Sequence, residues 1–291
     1  MKPAPFAYHR PETADEAASM LAELGEGAKV LAGGQSLVPM MALRLAVFDD
    51  LVDIGRIAEL RGIERRNGAV WVGAGTTEAE VERSPLVAAD APLLARSTPL
   101  IGHVQIRNRG TVGGSIAHAD PAAEYPAVAL ALDAEAEVRS PRGTRTIAAT
   151  DLFTGLWTTG LEPDELLTGI SFPVWSGRCG FAIEELARRH GDFAIAGAVV
   201  AVELADDDRI RRCAIALIGM GATPIRATRA ENEVTGAPVR QIDADGLGRD
   251  AVAGVESIPS DLHGSSAYRA RVGAVMVARA WTKATSEALD G

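Results

Sequence analysis

The chain has 291 residues, 47% of them apolar, enough for more than one core of ordinary domain size. Its formal net charge of −10 opposes long-range attraction to nucleic acid or to an anionic membrane surface. The two cysteines, Cys179 and Cys213, form no C-x-x-C pair and cannot hold an iron–sulfur cluster, and the five histidines (His9, His103, His118, His190 and His263) show no zinc spacing.

The first six residues carry no apolar leader, and no run approaches the ~18 uncharged apolar residues of a spanning helix, so the chain reads as cytoplasmic, with no integral membrane segment. Thr13 is placed to cap a helix, with Glu16 completing a capping box, Ala17, Met20, Leu21 and Leu24 on one face, and Gly25 as its stop. A strand over 29–32 runs into a glycine loop, Ala32-Gly33-Gly34-Gln35-Ser36. Ser36 can cap the next helix, with Pro39 in its tolerated first turn. Residues 51–54 read as a buried strand, and 62–73 as a hairpin around Asn67-Gly68, a type I′ signal that opens a second lobe. Thr77 with Glu80 predicts a capped helix, and Leu93-Leu94 another before Pro99.

The segment 102–110, carrying Arg107 and Arg109, leads into a second glycine loop, Thr111-Val112-Gly113-Gly114-Ser115. Asp120-Pro121 marks a turn and Pro126 a second helix start, which leaves Glu124 among exposed backbone donors. Residues 135–147 read as a hairpin turning at 140–143, and 166–172 as a strand closed by Pro173. Beyond 176, apolar runs over 181–187, 197–204 and 213–218 predict a small antiparallel sheet, and 226–234, 244–255 and 266–288 predict helices.

Paired glycines let backbone N–H groups approach an anion with no Cβ in the way, and two such loops suit a long ligand with a diphosphate. Gly73-Ala74-Gly75 is no Rossmann fingerprint, because Glu78 stands where the last glycine is needed, and no Walker lysine occurs. FAD held by two separated loops fits better. Read singly, each loop could be only a tight turn, Asp120 only a cap, and His103 and His118 ordinary loop or buried histidines. No catalytic triad and no metal ligands are expected on this chain.

Several motifs together carry a resemblance: 32–37, Arg107 through Ser115, His118 through Glu124, Arg188 through Ala196, and Thr223-Pro224-Ile225-Arg226. In this order, across essentially the whole chain, they resemble the FAD-binding medium subunit of molybdenum hydroxylases, the carbon monoxide dehydrogenase and xanthine dehydrogenase family, and most nearly its carbon monoxide dehydrogenase type. The resemblance implies an α+β chain: a two-subdomain FAD-binding fold of the vanillyl-alcohol-oxidase (PCMH) type, residues 1–57 and 58–176, then a C-terminal domain of antiparallel sheet plus helices, 177–291. It implies an oxidoreductase subunit that works with a small subunit holding 2Fe–2S clusters and a large molybdopterin subunit, as a dimer of heterotrimers. Electrons would pass from substrate through molybdenum, iron–sulfur and FAD to a quinone or other acceptor.

Carried over by position, Ala32, Gly33, Gly34, Gln35, Ser36 and Leu37, with Thr111, Gly113, Gly114 and Ser115, would hold the diphosphate through N–H groups and hydroxyls. Asp120 and Glu124 would bond ribose or ribityl hydroxyls. Ile101 stands where the xanthine dehydrogenase branch stacks an aromatic ring on the flavin, Phe193 where carbon monoxide dehydrogenases have a tyrosine, and Glu184 where some relatives have a lysine. Arg188 and Arg189 read as a solvated strand end, with docking against a partner subunit left open. The alternatives are a free-standing FAD-dependent reductase or oxidase of the same fold, and a nucleotide-binding module without enzymatic activity.

Overall fold

The computed structural model describes residues 2–291 and builds three main sheets in succession along the chain. The first lobe holds β1 (Ala7–His9), α1 (Ala14–Leu24), β2 (Ala28–Leu31), α2 (Leu37–Ala42) and β3 (Asp50–Asp53), with the strands parallel in the order β1-β3-β2. The Thr13 hydroxyl accepts the Glu16 N–H at 3.1 Å, but the Glu16 carboxylate takes the Glu12 N–H at 2.7 Å, one residue before the cap, so the expected box stays half closed. Gly25, at φ 65, ends α1 as expected. Ala14, Ala17 and Leu21 pack this helix onto Val52, Ile54 and Leu166, and full burial of a leucine of this kind contributes about 1.5–3 kcal/mol. Ser36 does not cap α2: its own backbone is helical and its hydroxyl makes no capping bond.

The second lobe opens with β4 (Ile63–Arg66) and β5 (Ala69–Gly73). Asn67 and Gly68 between them have φ 49 and 79, the two positive values of a type I′ turn. Six helices follow: α3 (Glu78–Glu82), α4 (Pro85–Asp90), α5 (Pro92–Ser97), α6 (Val104–Arg107), α7 (Val112–His118) and α8 (Glu124–Ala131). The lobe closes with β6 (Glu135–Ser140), β7 (Gly143–Ala148), α9 (Ala149–Leu152), the small hairpin β8 (Phe153–Gly155) and β9 (Thr158–Thr159), and β10 (Leu166–Pro173). Its sheet is antiparallel in the order β4-β5-β10-β6-β7. Thr77 and Glu80 close both halves of the capping box on α3.

The helix expected to start at Pro126 begins two residues earlier, at Glu124. Pro126 therefore sits in the first turn, where a missing N–H leaves no hydrogen bond unmade. Every residue of α8 is buried, because the helix is enclosed by α5 and α7 on one side and by the third sheet on the other.

That third sheet is β11 (Arg178–Leu186), β12 (Ala196–Leu204), β13 (Ile210–Ile218) and the short β14 (Ile225–Arg226), antiparallel in this order, followed by α10 (Thr228–Val234), α11 (Ala244–Ala253) and α12 (Ser266–Asp290). All of β12 is buried. Val199 and Ala201 face the core shared with the second lobe, while the alternate residues Val200 and Val202 face α12 and its neighbours. The helix lies close on β11: a Cβ at Gly180 would come within 1.8 Å of the Ala284 carbonyl oxygen. The second and third lobes are also tied by Arg96 of α5, whose guanidinium donates twice to Glu287 of α12 at 2.6 Å, while Glu287 also accepts the Phe181 N–H at 2.9 Å. Among the described residues no helix is long and apolar enough to cross a membrane.

Candidate functional site

The two glycine loops touch. A Cβ on Gly33 would stand 2.2 Å from the Arg109 carbonyl oxygen and 2.8 Å from the Gly110 Cα, so the first loop lies backbone to backbone against the approach to the second. Both loops line one cleft of about 800 Å³ bounded by residues of all three lobes, a volume in the range of small-molecule and cofactor sites. Of the candidate residues, all but Asp120 line it.

The loops contribute differently. In the first, Gly34 has φ 72, and the N–H groups of Gly33, Gly34, Gln35 and Ser36 donate to no protein acceptor among the described residues. The Gln35 amide turns back onto the Gly33 carbonyl at 3.0 Å. Successive unpaired N–H groups in a tight turn form a concave, partly positive surface suited to an anion.

In the second loop every N–H group but that of Thr111 is already committed. Val112 donates to the Thr76 carbonyl at 3.0 Å, Gly113 to that of Ala74 at 2.9 Å, Gly114 to the Thr111 hydroxyl at 3.0 Å and Ser115 to the Thr111 carbonyl at 3.0 Å. Of the N–H groups expected to face a diphosphate here, that of Thr111 alone has no protein acceptor among the described residues. These bonds fix the start of α7 and leave to the cleft the hydroxyls of Thr111 and Ser115 and the bare face of Gly114. A Cβ there would meet the Thr111 hydroxyl at 2.9 Å. Gly113 is required by packing, since its Cβ would come within 2.4 Å of the Ala74 Cβ.

Ile101 and Phe193 reach the cleft from different lobes. The turn between β11 and β12 brings Gly191, at φ 80, against Gly102, where a Cβ would lie 2.9 Å from the Gly102 carbonyl group. Phe193 beside it is 59% exposed, so its ring is accessible rather than packed in the core. Glu184 pairs with Lys283 of α12 and is not among the residues that line the cleft. Arg188 is exposed, and Arg189 bonds Asp192 at 3.1 Å at the surface.

Asp120 is not among the residues that line the cleft. One of its oxygens accepts the Ala122 N–H at 2.8 Å and the other the indole N–H of Trp157 at 3.1 Å. Trp157, a lining residue that the sequence reading passed over, sits at the tip of the β8–β9 hairpin with φ 54, its ring stacked on His118 at 6.3 Å. A large aromatic at a two-stranded hairpin tip, beside Gly155, is the signal that could have drawn attention to it.

The acidic residues set the local chemistry. Glu124 is 5% exposed, and burial, reinforced by the negative charges of Glu185, Glu78 and Asp120, pushes its carboxyl up to about 8. Burial raises Glu78 to about 8 against the pull of Arg107, and raises Glu185 to about 7. At neutral pH Glu78 and Glu124 therefore keep their protons and can donate as well as accept. In the sequence Glu78 was visible only as the residue that breaks a glycine motif. Burial also lowers His118 and keeps its ring neutral. Among the described residues no group of His, Cys, Asp and Glu is arranged to hold a metal ion.

A cleft with a cradle of free N–H groups facing hydroxyls and neutral carboxyls, in an α+β chain with a third lobe packed behind, defines a dinucleotide-binding protein. The family described as "FAD binding domain in molybdopterin dehydrogenase" matches residues 4–175, and "CO dehydrogenase flavoprotein C-terminal domain" matches 181–284. The chain belongs to this family of FAD-binding oxidoreductase subunits. It is 38% identical to the 6-hydroxypseudooxynicotine dehydrogenase complex subunit alpha of Paenarthrobacter nicotinovorans, over 100% of both chains. It is also 38% identical to the carbon monoxide dehydrogenase medium chain of Hydrogenophaga pseudoflava, over 96% of this chain and 97% of that one. A solved structure of carbon monoxide dehydrogenase from the same organism superposes with a TM-score of 0.95 at 39% identity, covering 99% of each chain.

Proposed function

We propose that this chain is the electron-transfer subunit of a heteromeric molybdenum hydroxylase of the carbon monoxide dehydrogenase type, with FAD in the cleft. The observation that carries the reading is the run of free N–H groups from Gly33 to Ser36, set in the same cleft as the hydroxyls of Thr111 and Ser115. A diphosphate would satisfy those donors, and the bare face of Gly114 leaves it room. Residues 1–57 and 58–176 are the two FAD-binding subdomains in this reading, and 177–291 the C-terminal domain.

When bound, FAD supplies the redox chemistry, accepting electrons from one carrier and passing them to another. The chain's own residues bind and orient. Gly33 to Ser36 hold the diphosphate through N–H groups, and Thr111 and Ser115 through hydroxyls. Glu124, protonated, bonds a ribityl or ribose hydroxyl, and Asp120 fixes Trp157 against the cofactor. Ile101 and Phe193 flank the flavin ring and limit water there, neither offering a hydroxyl or a titratable proton.

Cys179 and Cys213 are both free, and two cysteines are too few for a 2Fe–2S cluster, which takes four thiolates. In this reading electrons would arrive from a small partner with 2Fe–2S clusters, after substrate oxidation on a large molybdopterin partner, in a cytoplasmic dimer of heterotrimers, and would leave to a quinone or similar acceptor. The test is the spectrum and metal content of the native assembly purified through this chain. Flavin absorbance near ~450 nm over iron–sulfur bands, with molybdenum and iron present, is the expected result. A colourless protein that takes up no added FAD would refute the reading, and a yellow single chain without metal would replace it by a free-standing flavoenzyme.

A further inference from the structure

Glu78 has a burial that the diphosphate cradle alone does not explain. It is 4% exposed, its Oε2 has no hydrogen-bond partner among the described residues, and it is one of the residues lining the cleft. Its carboxyl group lies where the two glycine loops meet: the position of a Cβ on Gly110 is 2.6 to 2.7 Å from all three carboxyl atoms, and the carbonyl of the same Gly110 accepts the Glu78 N–H at 2.9 Å. A carboxylate in this position would face the same space as an anionic diphosphate.

Arg107 is the cation that acts on Glu78, and it does not offset the burial; Arg83 after α3 and Arg109 before Gly110 are exposed and form no ion pair among the described residues. The helical turn Thr98–Leu100, which carries no charged residue, and the helices α4, α5 and α6 pack against α3. Asp90 of α4 is held by Arg65, Arg96 of α5 by Glu287, and Arg107 of α6 by Glu82 together with the carbonyls of Ile101 and Gly102. On α3 itself Glu80 is held by Thr77. From α8 come Glu124, itself raised to about 8, and Tyr125, whose hydroxyl shares a hydrogen bond with Thr98. Glu185 of β11 and Asp120 add negative charge near Glu124, and His118 of α7 is kept neutral by burial. An ionised Glu78 would add to that negative charge.

We propose that Glu78 is a positioning residue that works as a neutral carboxylic acid, and that retention of its proton is linked to occupation of the cleft by the diphosphate arm of FAD. The inference rests on the FAD reading given above. An anion bound beside the carboxyl makes ionisation harder, and by reciprocity a protonated Glu78 favours the anion. Burial already holds the carboxyl at about 8 before any ligand enters. FAD affinity is thus level at neutral pH and falls above about pH 8, towards about tenfold per pH unit while one proton is taken up on binding.

The experiment uses the native assembly, stripped of flavin and titrated with FAD across roughly pH 6 to 9.5, in two buffers of different ionisation heat so that protons are counted by calorimetry. Wild type takes up protons on the alkaline side. Glu78→Gln, which keeps shape and a donor without titrating, lowers the count by about one proton whatever Glu124 contributes, and its affinity at pH 7 stays within about threefold. Infrared difference spectra give a second readout: a protonated-carboxyl stretch present in wild type at neutral pH is missing in Glu78→Gln. An unchanged proton count in the variant, a wild-type affinity level throughout, or an infrared band that survives the substitution would each overturn the proposal while leaving FAD binding intact. Failure of wild type to take up FAD at any pH would sink the FAD reading itself, and this inference with it.

Discussion

Gly33→Ala tests the contact between the loops on which the site depends. The added Cβ would lie 2.2 Å from the Arg109 carbonyl oxygen, while ordinary contact begins at 3.4 Å, so two backbones must separate by roughly 1.2 Å. Both obstructing atoms belong to the main chain, so no side-chain rotation relieves the overlap. Overpacking of this kind costs about 1–3 kcal/mol. If the strain is released by spreading the loops, the same energy appears as weaker binding, about 5-fold to 150-fold in the dissociation constant. Whatever remains in the folded apoprotein lowers the melting temperature by about 2–4 °C per kcal/mol.

The assay is FAD titration by flavin fluorescence together with thermal melting of the stripped assembly. Gly254→Ala is the control: φ is −78 there and the nearest atom lies 4.0 Å from the new Cβ, so a change within about 0.5 kcal/mol is expected. Wild-type affinity and melting temperature in Gly33→Ala, with the control equally silent, would show that the loops do not meet as described.

The third lobe gives a parallel case, since Gly180→Ala drives a Cβ to within 1.8 Å of the Ala284 carbonyl; a loss of about 3 kcal/mol or more in denaturant unfolding is expected, and a neutral result would contradict the packing of α12 on β11. Glu231, 6% exposed, accepts the Ile215 N–H at 2.7 Å and pairs with the largely buried Arg226. Glu231→Ala leaves that guanidinium and amide short of a partner and should cost about 3–5 kcal/mol, measured by the same unfolding curves. Glu124 is raised from an ordinary 4.5 to about 8, so its contribution to stability is full below about pH 4.5 and is lost as pH rises through 8. Melting temperatures of the stripped assembly should decline across that window, and Glu124→Gln should flatten the decline; an unchanged profile would place the proton elsewhere.

Much of the fold was legible because local chemistry and tertiary structure agree. Asn67-Gly68 dictates its turn by backbone sterics alone, Thr77 with Glu80 caps α3 without help from the rest of the chain, and the alternating runs of the third sheet match strands covered on one or both faces. What escaped depends on contacts across the chain. β1 has only three residues and exists because β3 pairs with it in parallel. Glu124 starts α8 two residues before Pro126 because the first helical turn needs no N–H from a proline, a boundary that spacing alone places loosely.

At the site, the glycine loops and the position of Glu124 were visible as motifs, and the structure brings them to one cleft. The division of labour between the loops was not. Whether an N–H is free depends on whether the carbonyls of Thr76 and Ala74 lie within reach, and those come from a different stretch of chain. Trp157 and Glu78 were missed for a similar reason: one is placed by a hydrogen bond to Asp120, the other by burial under Gly110, and neither leaves a periodic trace.

The central claim is that both loops hold one diphosphate, and the most direct test is a crystal structure of the assembly with FAD bound. The account predicts the two phosphates within hydrogen-bond distance of N–H groups from Gly33 to Ser36 on one side and of the Thr111 or Ser115 hydroxyl on the other. A diphosphate that touches only one loop, or FAD lying outside this cleft, would contradict it.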